Sequence, residues 1–323
     1  MTIKLIILLL VGLALIVFGA DWLVDGASAI ARKAGLSEFV IGLTIVGFGT
    51  SCPELVVSLT GALQGNADIS IGNVMGSNIF NTLLILGITA IISPVAITPS
   101  NRRKDLPLNL LVTFILIFCG MNLTLLKVGS ADRLSHLEGI LFLLIFTFYI
   151  IYCFKSGKTD SSAEGSEDES SVKKLPLAIL LVAAGLAGLI FGGRIFVNSA
   201  TGLAKLMGVS DKFIAITILA GGTSLPELAT CIVAAAKHKE QLALGNILGS
   251  NVFNILLILG ISATISPLSF SSIGIVDTIV LLLSAILLWL CTYTGKASRI
   301  DRWEGAILLL VYFAYMFWLF VNL

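Results

Sequence analysis

The chain has 323 residues, 57% of them hydrophobic and 12% charged, with a mean hydropathy of +1.03. Soluble domains carry about 25% charged residues, so this composition excludes a soluble globular protein and calls for a bilayer as solvent over many segments. The net charge of +1, from 20 basic and 19 acidic residues, offers no surface for nucleic acid, and five isolated cysteines provide neither a disulfide framework nor a zinc site.

Apolar stretches of about 20 residues between charged or turn-forming breaks predict ten membrane segments, near 3–31, 39–63, 69–92, 107–126, 136–154, 174–204, 212–236, 241–265, 272–294 and 303–322. The first has the outline of a signal peptide, Lys4 followed by the run from Leu5 to Val17. Its residues recur later in the chain, so it is expected to stay as part of the fold. An even number of segments puts both termini on one side. Alternate loops collect 14 basic residues on one side and 5 on the other, so the positive-inside rule places the former in the cytoplasm and both termini outside a cell membrane.

Residues 155–173, KSGKTDSSAEGSEDESSVK, form a polar, acidic, serine-rich stretch. Such a composition cannot bury a core, and it reads as a cytoplasmic flexible linker between residues 1–154 and 174–323. Those two parts are related. Setting 18–94 against 191–267 at a constant offset of 173, without a gap, gives 34 identities in 77 positions. The first copy begins in a segment entering from outside and the second after the cytoplasmic loop, so the halves are inverted, a plan that recurs in secondary transporters. The expected fold is an all-α membrane protein: ten transmembrane helices as two inverted five-helix repeats, with broken helices at the core.

Polar residues sit where a bilayer should forbid them. Glu54 and Glu227 fall near the centres of the second and seventh segments, where a charged side chain costs roughly 2.5 to 3.5 kcal/mol on insertion scales. Each follows a glycine-rich run and a proline, IVGFGTSCPE at 45–54 and ILAGGTSLPE at 218–227. Proline frees carbonyls about four residues back, and in lipid these are tolerable only facing protein, water or an ion. Carbonyls at Gly47 and Ala220, hydroxyls of Thr50, Ser51, Thr223 and Ser224, and the two carboxylates make an all-oxygen array suited to hard cations.

The third and eighth segments carry matching sets, GNVMGSNIFN at 72–81 and GNILGSNVFN at 245–254. Asn73, Ser77 and Asn81, like Asn246, Ser250 and Asn254, are spaced by four and share one helix face. Gly72 with Gly76, and Gly245 with Gly249, are small-xxx-small pairs that admit a close neighbouring helix. Asn78 and Asn251 point about 100° away on an ideal helix and read as packing residues. Arg194 aligns with Asp21 of the other copy, which predicts a structural pair or an interface contact. His136 and His238 lie at segment ends, so no base reaches Ser51 or Ser224 and an intramembrane hydrolase is disfavoured. A cation channel would use similar donors, but the inverted repeat favours a rocking carrier.

The paired GTS-x-PE and GN-xx-GSN-xx-N blocks closely resemble the alpha repeats of the sodium/calcium exchanger family, and the ten-segment layout resembles its short prokaryotic members. The resemblance implies alternating access, Na⁺ moving down its gradient as Ca²⁺ is expelled, with both ions as substrates and no separate cofactor or obligate protein partner. It implies as ligands Thr50, Ser51, Glu54, Ser77 and Asn81, then Thr223, Ser224, Glu227, Ser250 and Asn254, with carbonyls at Gly47 and Ala220. The glutamates would serve Ca²⁺ directly, and the hydroxyls, carbonyls and amides would build the Na⁺ positions. Some relatives carry Asp at position 254. Here it is Asn, so no third buried carboxylate is present to take a proton or K⁺. The alternative left open is Ca²⁺/H⁺ exchange on the same glutamate pair.

Overall fold

A computed structural model describes residues 2–121, 124, 132–156, 175–208, 220–270, 273–294 and 299–322; residues 157–173 of the expected linker lie outside them. The apolar runs form helices, in chain order α1 (Thr2–Ala34), α2 (Glu38–Thr50), α3 (Cys52–Leu63), α4 (Ala67–Ile92), α5 (Leu106–Gly120) and α6 (His136–Ser156). Then come α7 (Leu175–Leu206), α8 (Leu225–Ala236), α9 (Glu240–Ile265), α10 (Ile275–Cys291) and α11 (Arg302–Asn322). Among the described residues, α1, α4, α6, α7, α9 and α11 are long and apolar enough to cross a membrane. The α2–α3 pair, bent by 47°, would make a seventh span, while α8 and α10 are shorter apolar helices. The expected fourth segment ends early, at Gly120, where Met121 caps the helix. The seventh is described only from Ala220.

Burial sorts the helices into a centre and a rim. In the most apolar windows of α9 and α4, 94% and 67% of residues are buried, against 22% for α1 and 17% for α11. The rim exposes Leu10, Phe18, Leu180, Phe191, Leu310 and Phe317, which is the surface that lipid tails cover.

Small residues bring the long helices together. Gly12, Gly19 and Gly26 of α1 meet Gly192, Gly185 and Ala178 of α7 in reverse order, so the helices run antiparallel; a β-carbon on Gly19 would sit 2.8 Å from the Gly185 carbonyl oxygen. The seven-residue spacing keeps this seam on one face along the helix. Gly245 and Gly249 do what their spacing predicts, because a β-carbon on either would collide with the Phe39 or Leu43 carbonyl of α2. Gly72 and Gly76 have no such neighbour among the described residues.

Two short antiparallel bridges tie the halves: Val95–Ala96 with Arg299–Ile300, and Arg133–Leu134 with Leu268–Ser269. Ion pairs add to them. Lys239 contacts Glu38 at 2.8 Å, and Lys237 contacts Asp21 at 2.6 Å and Asp25 at 2.7 Å. Of the two expectations for Arg194, a structural pair with Asp21 or an interface contact, this corrects the first. Alignment of two copies in sequence places residues at equivalent positions, and equivalent positions of a repeat need not touch: Asp21 turns to the end of α8, while Arg194 is exposed on α7.

Candidate functional site

Both halves build the site with the same local device. Ser51 (φ −81°, ψ 6°) and Ser224 (φ −90°, ψ 10°) leave helical geometry, and Pro53 and Pro226 sit in the first turns of α3 and α8, where a missing N–H leaves no bond unmade. Glu54 and Glu227 follow at once and are fully buried. Their place in a helix's first turn lets the macrodipole favour a negative charge.

The two carboxylates are bound crosswise. Glu54 Oε1 accepts from Ser224 Oγ of the opposite half at 2.9 Å and from Ser77 Oγ of its own half at 3.4 Å. Glu227 Oε1 accepts from Ser51 Oγ at 3.1 Å and from Ser250 Oγ at 3.5 Å. Thr50 Oγ1 donates to Asn246 Oδ1 at 3.1 Å, and Thr223 Oγ1 to Asn73 Oδ1 at 3.5 Å. The Gly47 carbonyl, 3.4 Å from Ser250 Oγ, is the alternative acceptor for that same hydroxyl proton. Ala220 opens the short helical turn Ala220–Gly222 just before the second break.

The structure therefore brings together Glu54, Glu227, Thr50, Ser51, Ser77, Thr223, Ser224, Ser250 and Gly47. Asn81 and Asn254 lie one turn beyond Ser77 and Ser250 on π-helical turns, Phe80–Ile85 and Phe253–Leu259, and bond to Asn251 and Asn78 rather than to the carboxylates. Such turns insert one residue into the helical repeat and recur at functional sites. They take these two asparagines out of the simple every-fourth-residue register with Ser77 and Ser250.

Sequence reasoning understated Asn78 and Asn251. Rather than only filling space, they bond across the halves: Asn81 Nδ2 donates to Asn251 Oδ1 at 3.3 Å and Asn254 Nδ2 to Asn78 Oδ1 at 3.0 Å. The available signal was the retention of Asn in both copies at a position that ideal helix geometry aims away from the site.

Glu54 Oε2, Glu227 Oε2, Asn81 Oδ1 and Asn254 Oδ1 are buried acceptors without a partner among the described residues. Buried polar atoms are ordinarily paired, and a buried carboxylate needs a counter-charge or a proton. Among the described residues Lys237, His238, Lys239 and Arg299 form ion pairs, and none of these reaches Glu54 or Glu227. No cluster of three or more His, Cys, Asp or Glu occurs among the described residues. Hydroxyl, amide, carbonyl and carboxylate oxygens are donors for hard cations rather than for thiophilic metals.

A cavity of about 330 Å³ adjoins the breaks, and its wall includes Pro53, Asn73, Thr223, Pro226, Arg194 and Asn198. It joins exposed Arg194 and Asn198 on α7 to part-buried Asn73 and Thr223.

Comparison with known proteins agrees with this architecture. The family model for sodium/calcium exchanger proteins matches residues 4–155 and 177–321. The sodium/calcium exchanger MaX1 of Methanosarcina acetivorans is 35% identical over 97% of this chain and 98% of its own length. The inner membrane protein YrbG of Escherichia coli is 34% identical over 97% and 96%. A solved structure of the sodium-calcium exchanger NCX_Mj, soaked with zero Na⁺ and Ca²⁺, superposes with a TM-score of 0.84 at 32% identity, over 99% of this chain and 100% of that one. The chain is a multi-pass membrane protein that belongs to the sodium/calcium exchanger family.

Proposed function

We propose that the protein is a secondary active antiporter that exchanges Na⁺ for Ca²⁺ by alternating access, expelling Ca²⁺ as Na⁺ runs down its gradient. One observation carries the reading: two fully buried carboxylates, each with an oxygen that has no partner among the described residues, stand among hydroxyl, amide and carbonyl oxygens, and no basic side chain among the described residues pairs with them. Two carboxylates balance one Ca²⁺ or two Na⁺. Glu54 and Glu227 hold Ca²⁺, and Thr50, Ser51, Ser77, Asn81, Thr223, Ser224, Ser250, Asn254 and the carbonyls of Gly47 and Ala220 complete its shell and the Na⁺ positions. The ions are cargo, and the reading calls for no resident cofactor and no obligate protein partner.

In this reading ten helices form two inverted five-helix repeats, residues 1–154 and 174–323, joined by a cytoplasmic linker at 155–173. Both termini lie outside the cell membrane. The crosswise serine–glutamate bonds support it, since each exchanges with the other when residue numbers shift by 173. The test is ⁴⁵Ca²⁺ uptake into proteoliposomes under imposed Na⁺, H⁺ or K⁺ gradients. Uptake driven by an outward Na⁺ gradient supports the reading. Uptake that follows pH and ignores Na⁺ replaces the driving ion and keeps the glutamate pair.

A further inference from the structure

Four asparagines at the crossing of α4 and α9 form a closed set. Besides the Asn81–Asn251 and Asn254–Asn78 bonds, Asn251 Nδ2 donates to Thr82 Oγ1 at 2.9 Å and Asn78 Nδ2 to the Asn251 carbonyl at 3.2 Å. All four side chains are buried. The Asn78–Asn254 arm has one consistent sense, because the Asn251 carbonyl can only accept and so fixes which end of the Asn78 amide faces it. Turning the Asn254 amide over would set its oxygen against the Asn78 oxygen and put an NH₂ where an acceptor now stands free, and a buried mismatch of that kind is costly. We propose that Asn78 and Asn251 are positioning residues: they hold the amides of Asn254 and Asn81 so that Oδ1 of each remains available to a cation.

This rests on the antiport reading, and the experiment separates the two. Wild-type ⁴⁵Ca²⁺ uptake and its loss in Glu54→Gln test the site itself. The half-saturating Na⁺ and Ca²⁺ concentrations of N251A, N81A and the double variant test the positioning. N251A is expected to weaken ion affinity about three- to tenfold, as for one lost buried hydrogen bond, and to add nothing further in the N81A background. An equal penalty in both backgrounds, or no change in affinity, overturns the proposal. N78A with N254A gives the mirrored cycle should N251A fail to assemble.

A second inference comes from a different observation, a break in the symmetry. The cavity wall contains Arg194 and Asn198 of α7, whose counterparts in α1 are Asp21 and Asp25. Those two instead grip Lys237 at the end of α8, and the counterpart of Lys237 is Gln64, exposed and uncharged. Burial follows the same division. Val24, Thr50 and Asn246 are 0% exposed, whereas Val197, Thr223 and Asn73, their counterparts, are only part-buried. One pathway is shut with an ion-pair cluster beside it, and the equivalent route in the other half is a cavity.

We propose that Lys237, gripped by Asp21 and Asp25, is a latch that holds shut the pathway between α1 and α8. In the topology proposed above this is the cytoplasmic side, so the latch favours the outward-facing state of the exchange cycle. The full chain without native cysteines, carrying V24C or V197C, is labelled with a small thiol reagent in detergent, which reaches both sides. Lys237→Gln is expected to speed labelling at V24C and slow it at V197C, each at least threefold, and the charge swap K237D with D21K to reverse both shifts. Unchanged labelling at the two positions overturns the latch. Should K237Q not assemble, D21N with D25N removes the same contacts and is read in the same way. Loss of Ca²⁺ exchange in wild type with the labelling shifts intact would fault the antiport reading and not the latch.

Discussion

Ser224 Oγ donates to Glu54 Oε1 over 2.9 Å, a bond between residues 170 positions apart in the chain. The helix break of one half thus holds the carboxylate of the other. A cation drawn to Glu54 would meet oxygens from both halves at once, so any relative movement of the halves changes its shell. Ser224→Ala leaves Glu54 Oε1 with the longer Ser77 contact alone. Its apparent Ca²⁺ affinity in a ⁴⁵Ca²⁺ flux assay should fall about three- to tenfold.

Glu54→Gln and Glu227→Gln should each abolish exchange. One remaining carboxylate neutralises half of a divalent charge, and the amide brings donors that repel a cation. Initial ⁴⁵Ca²⁺ uptake in proteoliposomes is expected to drop at least about a hundredfold in either variant, since each removes a buried charge worth several kcal/mol to its partner ion. Near-normal flux in Glu54→Gln would remove the residue from the Ca²⁺ site.

Packing makes a separate forecast at two glycines. A β-carbon on Gly249 would run into the backbone of Leu43, whereas one on Gly193 meets nothing within 4 Å among the described residues, and the counterpart of Gly193 is already Ala20. Gly249→Ala should destabilise by about 1 to 3 kcal/mol, as overpacking does, and Gly193→Ala should be tolerated. Thermal unfolding of the detergent-solubilised protein compares them.

Transport should move net charge. If more than two Na⁺ exchange for one Ca²⁺, as the family resemblance implies, each cycle responds to membrane potential by about 2.3 kcal/mol per charge per 100 mV. Clamping potential with K⁺ and valinomycin while an outward Na⁺ gradient drives uptake should speed exchange at one polarity and slow it at the other. Uptake indifferent to voltage points to an electroneutral cycle.

Topology can be read with one engineered thiol. The 14 to 5 division of basic residues predicts a cytoplasmic linker, so S162C in a background without native cysteines should resist impermeant thiol reagents in right-side-out vesicles. It should react once they are permeabilised. Labelling without permeabilisation contradicts the assigned orientation.

The linear chain by itself determined the solvent, the repeat and the chemistry. Hydropathy demanded a membrane, the 173-residue offset exposed two related halves, and the two Pro-Glu breaks marked Glu54 and Glu227 as the residues to explain. Composition and local periodicity carry that information because they are properties of neighbours along the chain. Tertiary structure decided who meets whom. Ser51 reaches Glu227 and Ser224 reaches Glu54, pairings that no spacing encodes. Asn78 and Asn251 proved to be bridges because α4 and α9 cross where those side chains emerge and because π-helical turns shift the register just beyond them. Asp21 chose Lys237 over Arg194 because α1 lies against the end of α8. Contacts of that kind depend on the packing of distant helices, which only the folded chain fixes.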